Sequence, residues 1–179
     1  MLSLIIDFAS TFLAALLAGA MFCMWIILSP AQLDGTNYTI LQQQGIRTLQ
    51  PVLPPLGAVT IALTLAAAFL ARESRPRMGL LIAAAILFII SAVITRAGNM
   101  PINVHVLRWT SSALPDNWKE LRGKWLMWHR LRTVSGSLGL ALLIITSLMR
   151  DSGSSRSLAS LCGARPFFNT LLHELSLFL

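Results

Sequence analysis

FASTFLAALLAGAMFCMWIIL, from Phe8 to Leu28, is 21 residues without a charge, and Ser10 and Thr11 are its only strongly polar members. A helix rises about 1.5 Å per residue, so this run alone spans a hydrocarbon core of roughly 30 Å. Three more runs share its character: Val52–Ala71 with 20 uncharged residues, Met78–Thr95 with 18 and Thr133–Met149 with 17. Inside lipid the backbone must satisfy its own hydrogen bonds, and helices do that within one segment. The expected fold class is all-α: an integral membrane four-helix bundle over residues 1–150, with a long, partly helical loop between helices three and four. A signal peptide is the alternative for the first run. No basic residue precedes it, however, and the run is long for one.

Composition agrees. Of 179 residues, 55% are apolar and 12% charged, with a mean hydropathy of +0.70. These values argue against a disordered chain, a disulfide scaffold and an ordinary soluble enzyme. The net charge of +7 comes from 14 Lys and Arg against 7 Asp and Glu. These basic residues crowd between the apolar runs, where lipid head groups and membrane topology account for them, so no nucleic-acid partner is expected. Cys23 and Cys162 are far apart and form no C-x-x-C motif, against a membrane thiol–disulfide enzyme.

The connections are unequal. Ser29–Pro51 reads as a loop rich in glutamine (Gln42, Gln43, Gln44, Gln50). Arg72–Arg77 is a tight basic turn that makes the second and third helices antiparallel neighbours. After Arg150 a serine-rich linker leads to Pro166–Leu179, where Phe168, Leu171, Leu172, Leu175 and Leu179 recur at helical spacing. Residues 151–179 thus form either an interfacial amphipathic helix behind a linker or a disordered tail. An even helix count places both termini on one side. Six basic residues flank that side and eight the other; the compact basic turn favours cytoplasmic termini. Ala66–Ala68 and Ala83–Ala85 allow close helix contacts within or between chains, so an oligomer is open.

The third connection, Arg96–Arg132, carries the unusual side chains. In Arg96-Ala-Gly-Asn-Met-Pro-Ile-Asn103, Pro101 predicts a break near Gly98. Asn99 would cap a new helix, and Asn103 would face another way across the break. Their plain role is to satisfy backbone groups that the break frees. The stretch after Asn117 reads as a helix, with Asn117 and Glu120 at capping-box spacing. Trp118, Arg122, Trp125, His129 and Arg132 then fall at steps of four, three, four and three. One face therefore carries three cationic or imidazole groups interleaved with two indoles. An interfacial anchor explains Trp and Arg at this depth, but an anchor needs no single ordered face. Arg96 and Arg132, each at the edge of an apolar run, are candidates to line a polar cavity. His129 and His105 are the pair that would hold a metal, although no carboxylate sits at ligand spacing. No phosphate loop, dinucleotide fingerprint or catalytic serine motif is present.

Asn99-Met-Pro-Ile-Asn103, Trp109, Pro115, Trp118, Arg122, Trp125 and His129-Arg-Leu-Arg132 together resemble the anthrone oxygenase-like family of small four-helix membrane proteins, over roughly residues 5–150. The resemblance implies oxidation of a flat phenolic or anthrone-type substrate with dioxygen, the partners being membrane lipid and that small hydrophobic aromatic molecule. Under it His129 is the general base. Arg132 and Arg96 stabilise the enolate oxygen, Asn99 and Asn103 orient it, and Trp118, Arg122, Trp125 and Trp109 bind the substrate. The cofactor is either none or a transition metal. The alternative class is a non-catalytic membrane subunit or a lipid- or quinone-binding module, in which the same residues hold a flat ligand without turning it over.

Overall fold

The computed structural model describes residues 1–30, 33–110 and 114–162, with side chains described as far as residue 149 in the last segment. Its helices are α1 (Leu2–Leu28), α2 (Gly35–Leu49), α3 (Leu53–Leu70), α4 (Arg75–Ile94), a π-helical turn (Thr95–Asn99), α5 (Met100–Val106) and α6 (Trp118–Cys162). Among the described residues four segments are long and apolar enough to cross a membrane: Leu2–Leu28, Leu53–Leu70, Arg75–Val106 and Trp118–Met149. The expected four spans are all present. α6 continues through the serine-rich stretch as far as Cys162, and the expected surface helix at Pro166–Leu179 lies outside the described residues. The chain divides into two compact units, Met1–Ile144 and Ile145–Leu179; the features below belong to the first.

The bundle is apolar outside and small or polar inside, as lipid demands. Phe8, Phe12, Phe22, Phe69, Ile86 and Leu138 are exposed, while Ala14, Ala67, Ala68, Ala84 and Leu143 are buried among Leu81 and Phe88. Small side chains let backbones approach, and hydroxyls then bridge them. The Ser91 hydroxyl of α4 donates to the Arg132 carbonyl at 3.0 Å, and the Ser135 hydroxyl of α6 to the Leu87 carbonyl at 2.7 Å. At the end of the bundle near the N-terminus, Arg77 on α4 forms an ion pair with Asp7 on α1, both side chains largely buried.

The glutamine-rich first connection is a helix, not a loop. Asp34 caps α2 by accepting the Asn37 backbone N–H at 2.9 Å, and this bond holds its carboxyl below the ordinary carboxylate range. Gly35, Tyr38, Thr39, Gln42 and Ile46 form the buried face, at the helical spacing of three and four. Gln43 ties α2 to the end of α5, its Nε2 donating to the Val106 and Trp109 carbonyls at 2.9 Å each.

The expected break at Gly98 is instead a π turn. The Met100 N–H bonds the Thr95 carbonyl, and the extra residue in that turn lets Pro101 enter without stopping the helix. Asn99 keeps helical angles and makes no side-chain cap. Asn99 and Asn103 therefore lie one turn apart on a single face, not on diverging ones. Gly98 is required here because a Cβ would sit 2.5 Å from Cγ of Trp128 on α6. The Asn117–Glu120 capping box is also replaced: Glu120 pairs with Lys124 at 2.6 Å.

Candidate functional site

A cavity of about 280 Å³ lies in the half of the bundle covered by α2. It is enclosed by α1 from Ala14 to Met24, the inner face of α2, the first half of α3, the last turns of α4 and α6 from Trp125 to Gly136. Gly136 keeps the floor open; a Cβ there would stand 2.7 Å from Cε of Met21. Pro54 and Ala58 on α3, Ala92 on α4 and Arg96 in the π turn line the cavity and are also exposed, which marks its mouth. Half of the wall is Ala, Leu, Met and Ile, with polar groups from Arg132, Arg96, Thr95, Ser91, Asn103, Trp125, Gln42 and Gln50. The volume is close to the lower end of the range that ordinarily holds small ligands, roughly 300–1,000 Å³.

Arg132 is the principal charge on this wall, and its position is fully determined. Its Nε donates to Nδ1 of His129 at 3.1 Å, with Nη2 2.8 Å from the same nitrogen, and its Nη1 donates to Oγ1 of Thr95 at 3.2 Å. The Thr95 hydroxyl in turn donates to the Ser91 carbonyl at 2.8 Å. His129 is fully buried, and its Nε2 lies 2.8 Å from the Met21 carbonyl. A carbonyl only accepts, so Nε2 carries the proton and Nδ1 presents its lone pair to Arg132. The imidazole that holds Arg132 is thus neutral. Among the described residues no carboxylate meets this guanidinium, which leaves one uncompensated positive charge facing the apolar cavity.

Trp125 forms the adjoining wall. Its ring stacks on His129 with centroids 4.6 Å apart and planes at 10°. Its Nε1 donates to Oδ1 of Asn103 at 2.8 Å, Nδ2 of Asn103 donates to Oε1 of Gln50 at 3.2 Å, and Nδ2 of Asn99 donates to the Trp125 carbonyl at 3.1 Å. Both asparagines therefore converge on Trp125, and of the two only Asn103 lines the cavity.

The expected face of α6 does point inward, but it divides. Trp125 and Arg132 line the cavity, with His129 behind them. Trp118, Arg122 and Trp109 gather instead around Tyr38: the Arg122 guanidinium stands 5.3 Å from the Tyr38 ring, with the Trp118 and Trp109 rings at 6.1 and 6.5 Å. Arg122 also donates to the Leu28 and Pro30 carbonyls at 3.1 and 2.5 Å. None of these three, expected to bind the substrate, lines the cavity. Arg96 is exposed at the mouth. The expected His129–His105 metal pair is not assembled: His105 is exposed on α5, and both ring nitrogens of His129 are engaged. No cluster of three or more His, Cys, Asp or Glu side chains occurs among the described residues. Gln42 was missed, because it reads as one polar residue of a polar connection. The signal was its place on the Tyr38–Gln42–Ile46 face.

The family model for anthrone oxygenase matches residues 46–142, which includes α3 to α5 and the cavity-lining part of α6. No curated protein and no solved structure matches the chain.

Proposed function

The chain belongs to the anthrone oxygenase family, and from that premise we propose that it is a membrane enzyme oxidising a flat phenolic or anthrone-type ketone with dioxygen. One observation carries the reading: Arg132, a half-buried guanidinium that meets no carboxylate among the described residues, faces a small apolar cavity walled by an indole. A neutral aromatic ketone partitions into such a cavity from lipid. It becomes an anion when its ring methylene loses a proton, and the charge then rests on the ketone oxygen. A fixed guanidinium in a water-poor site favours that enolate over the neutral ketone. Dioxygen adds at the former methylene carbon to give a hydroperoxide, which loses water to leave the quinone: one ketone and one dioxygen yield one quinone and one water.

In this scheme Arg132 is the electrostatic catalyst, and His129 is a positioning residue that acts through it. His129 is not assigned the base, since Nδ1 accepts from Arg132 and the ring does not reach the cavity. The cavity wall carries no carboxylate and no free imidazole, so the proton passes to solvent base at the mouth beside Arg96. Trp125, fixed by Asn103 and Asn99, supplies the flat wall. The reaction of an enolate with dioxygen needs no metal in principle, and apart from the solvent base the scheme uses only groups of this chain.

Oxygen uptake by detergent-purified protein with anthrone, corrected for the protein-free blank, tests the proposal. Arg132→Met is expected to lower turnover by about 10²–10³, the usual loss of an anion-stabilising donor. Uptake equal to the blank in the wild type, with saturable anthraquinone binding retained, would make this a binding module. Undiminished uptake in Arg132→Met would remove the arginine from the chemistry.

A further inference from the structure

The amide side chains around the cavity mostly have partners. Gln43 spends its Nε2 on two carbonyls, and Gln50 and Asn103 join each other and Trp125. Gln42 differs. It is fully buried, it lies on the cavity wall, and both its Nε2 and its Oε1 are buried without a hydrogen-bond partner. Among the described cavity-lining residues it is the one side chain with orphaned polar atoms. A buried amide with neither atom satisfied is a net cost to folding, and a leucine of similar volume would remove that cost. Its place on the wall gives it something to do: the space beside it is where a ligand sits. It also lies outside the stretch matched by the family, so nothing said of residues 46–142 accounts for it.

We propose that Gln42 is a specificity-determining residue that recognises a phenolic hydroxyl of the cavity's ligand. Oε1 accepts from the hydroxyl, and Nε2 donates to a neighbouring oxygen of the same molecule. Nothing in the protein fixes which way the amide is turned, so the ligand sets it. Arg132 and Gln42 then divide the work. The guanidinium holds the oxygen that becomes negative, while the amide selects hydroxylated ring systems over bare ones, because a bare ring leaves both amide atoms unpaired. The inference rests on the reading of the cavity as a site for flat aromatic ketones and adds the ring substituent to it.

The test uses the full detergent-purified chain and two stable probes, anthraquinone and 2-hydroxyanthraquinone, in mildly acidic buffer that keeps the hydroxyl protonated. Binding is read from quenching of tryptophan fluorescence, Trp125 being on the wall. The wild type should prefer the hydroxylated probe by about tenfold, the worth of a good buried hydrogen bond. Gln42→Leu and Gln42→Met should each lose that preference, leave anthraquinone affinity within about twofold, and melt no lower than wild type without ligand. An equal loss for both probes, an unchanged preference, or a lowered melting midpoint in both variants would overturn the proposal. Wild type that binds neither probe sinks the flat-ligand reading and this inference together. Equal binding of both probes by wild type sinks the role of Gln42 alone.

Discussion

Two of the arginines that lie between the helices of this bundle, Arg77 and Arg132, differ in their partners. Arg77 near the N-terminal end meets the Asp7 carboxylate across α1 and α4, and the two charges cancel. Arg132 in the other half meets a neutral imidazole and a threonine hydroxyl, and its charge is left for the cavity. The first arrangement has no role to offer a ligand; it locks α1 to α4. The second fixes the guanidinium as firmly but leaves its charge unmatched, which is the condition for attracting charge that develops on a substrate. A cation held between helices thus becomes a candidate site through what its partners omit.

The contrast predicts opposite responses to mutation. Asp7→Asn leaves Arg77 buried with a neutral partner and should cost about 3–5 kcal/mol, seen as a lowered melting midpoint in detergent. Replacing both partners, Asp7→Leu with Arg77→Met, should recover most of that loss, because the desolvation cost disappears with the charges. Neither change should alter ligand affinity measured below the melting range. Arg132→Met removes a half-buried charge that meets no carboxylate among the described residues, so it should melt close to wild type while turnover falls. Were Asp7→Asn as stable as wild type, the ion pair would not be the lock described here.

His129 sharpens the comparison at the next level of effect. As the support of Arg132, it should lose about tenfold in turnover on His129→Gln, the scale of a misplaced stabilising group rather than of a lost base, which ordinarily contributes 10²–10⁴. The shape of the pH–rate profile decides between the roles. A base would give an acid limb that vanishes in the variant; a support leaves the profile unchanged and only lowers it. A vanished limb with a large loss would restore the imidazole as base.

What could be read in the sequence followed from helical period. Trp118, Arg122, Trp125, His129 and Arg132 share a face because spacing fixes direction, and the structure turns all five inward or half inward. Spacing does not fix what lies opposite. Tyr38 draws off the first two, and it belongs to a helix whose polar composition reads as a loop. Pro101 suggested a break because the sequence gives no sign that a π turn will absorb it. Asp7 is one acid before an apolar run, and its partner comes 70 residues later. The orphaned amide of Gln42 is a property of its surroundings, which exist only once α2 has packed.

Tyr38 gives the smallest expected effect and the cleanest measurement, since it is the chain's single tyrosine. Burial pushes its phenol above the ordinary value of 10.0, and the Arg122 charge opposes this in part. The folded protein should therefore show no tyrosinate absorbance as the pH passes 10, whereas the unfolded chain should. A raised acid pKa means that the folded state holds a proton the unfolded state has released. Stability from this group is therefore intact below about pH 10 and declines above it, towards the folded value. At neutral pH the group contributes no pH dependence, which separates it from the cavity. Tyr38→Phe should leave turnover unchanged, because the ring keeps its stack of Arg122, Trp118 and Trp109 and the hydroxyl has no partner to lose. Turnover that fell in this variant would join the Tyr38 cluster to the site, and the division of the α6 face into support and cavity wall would have to be redrawn.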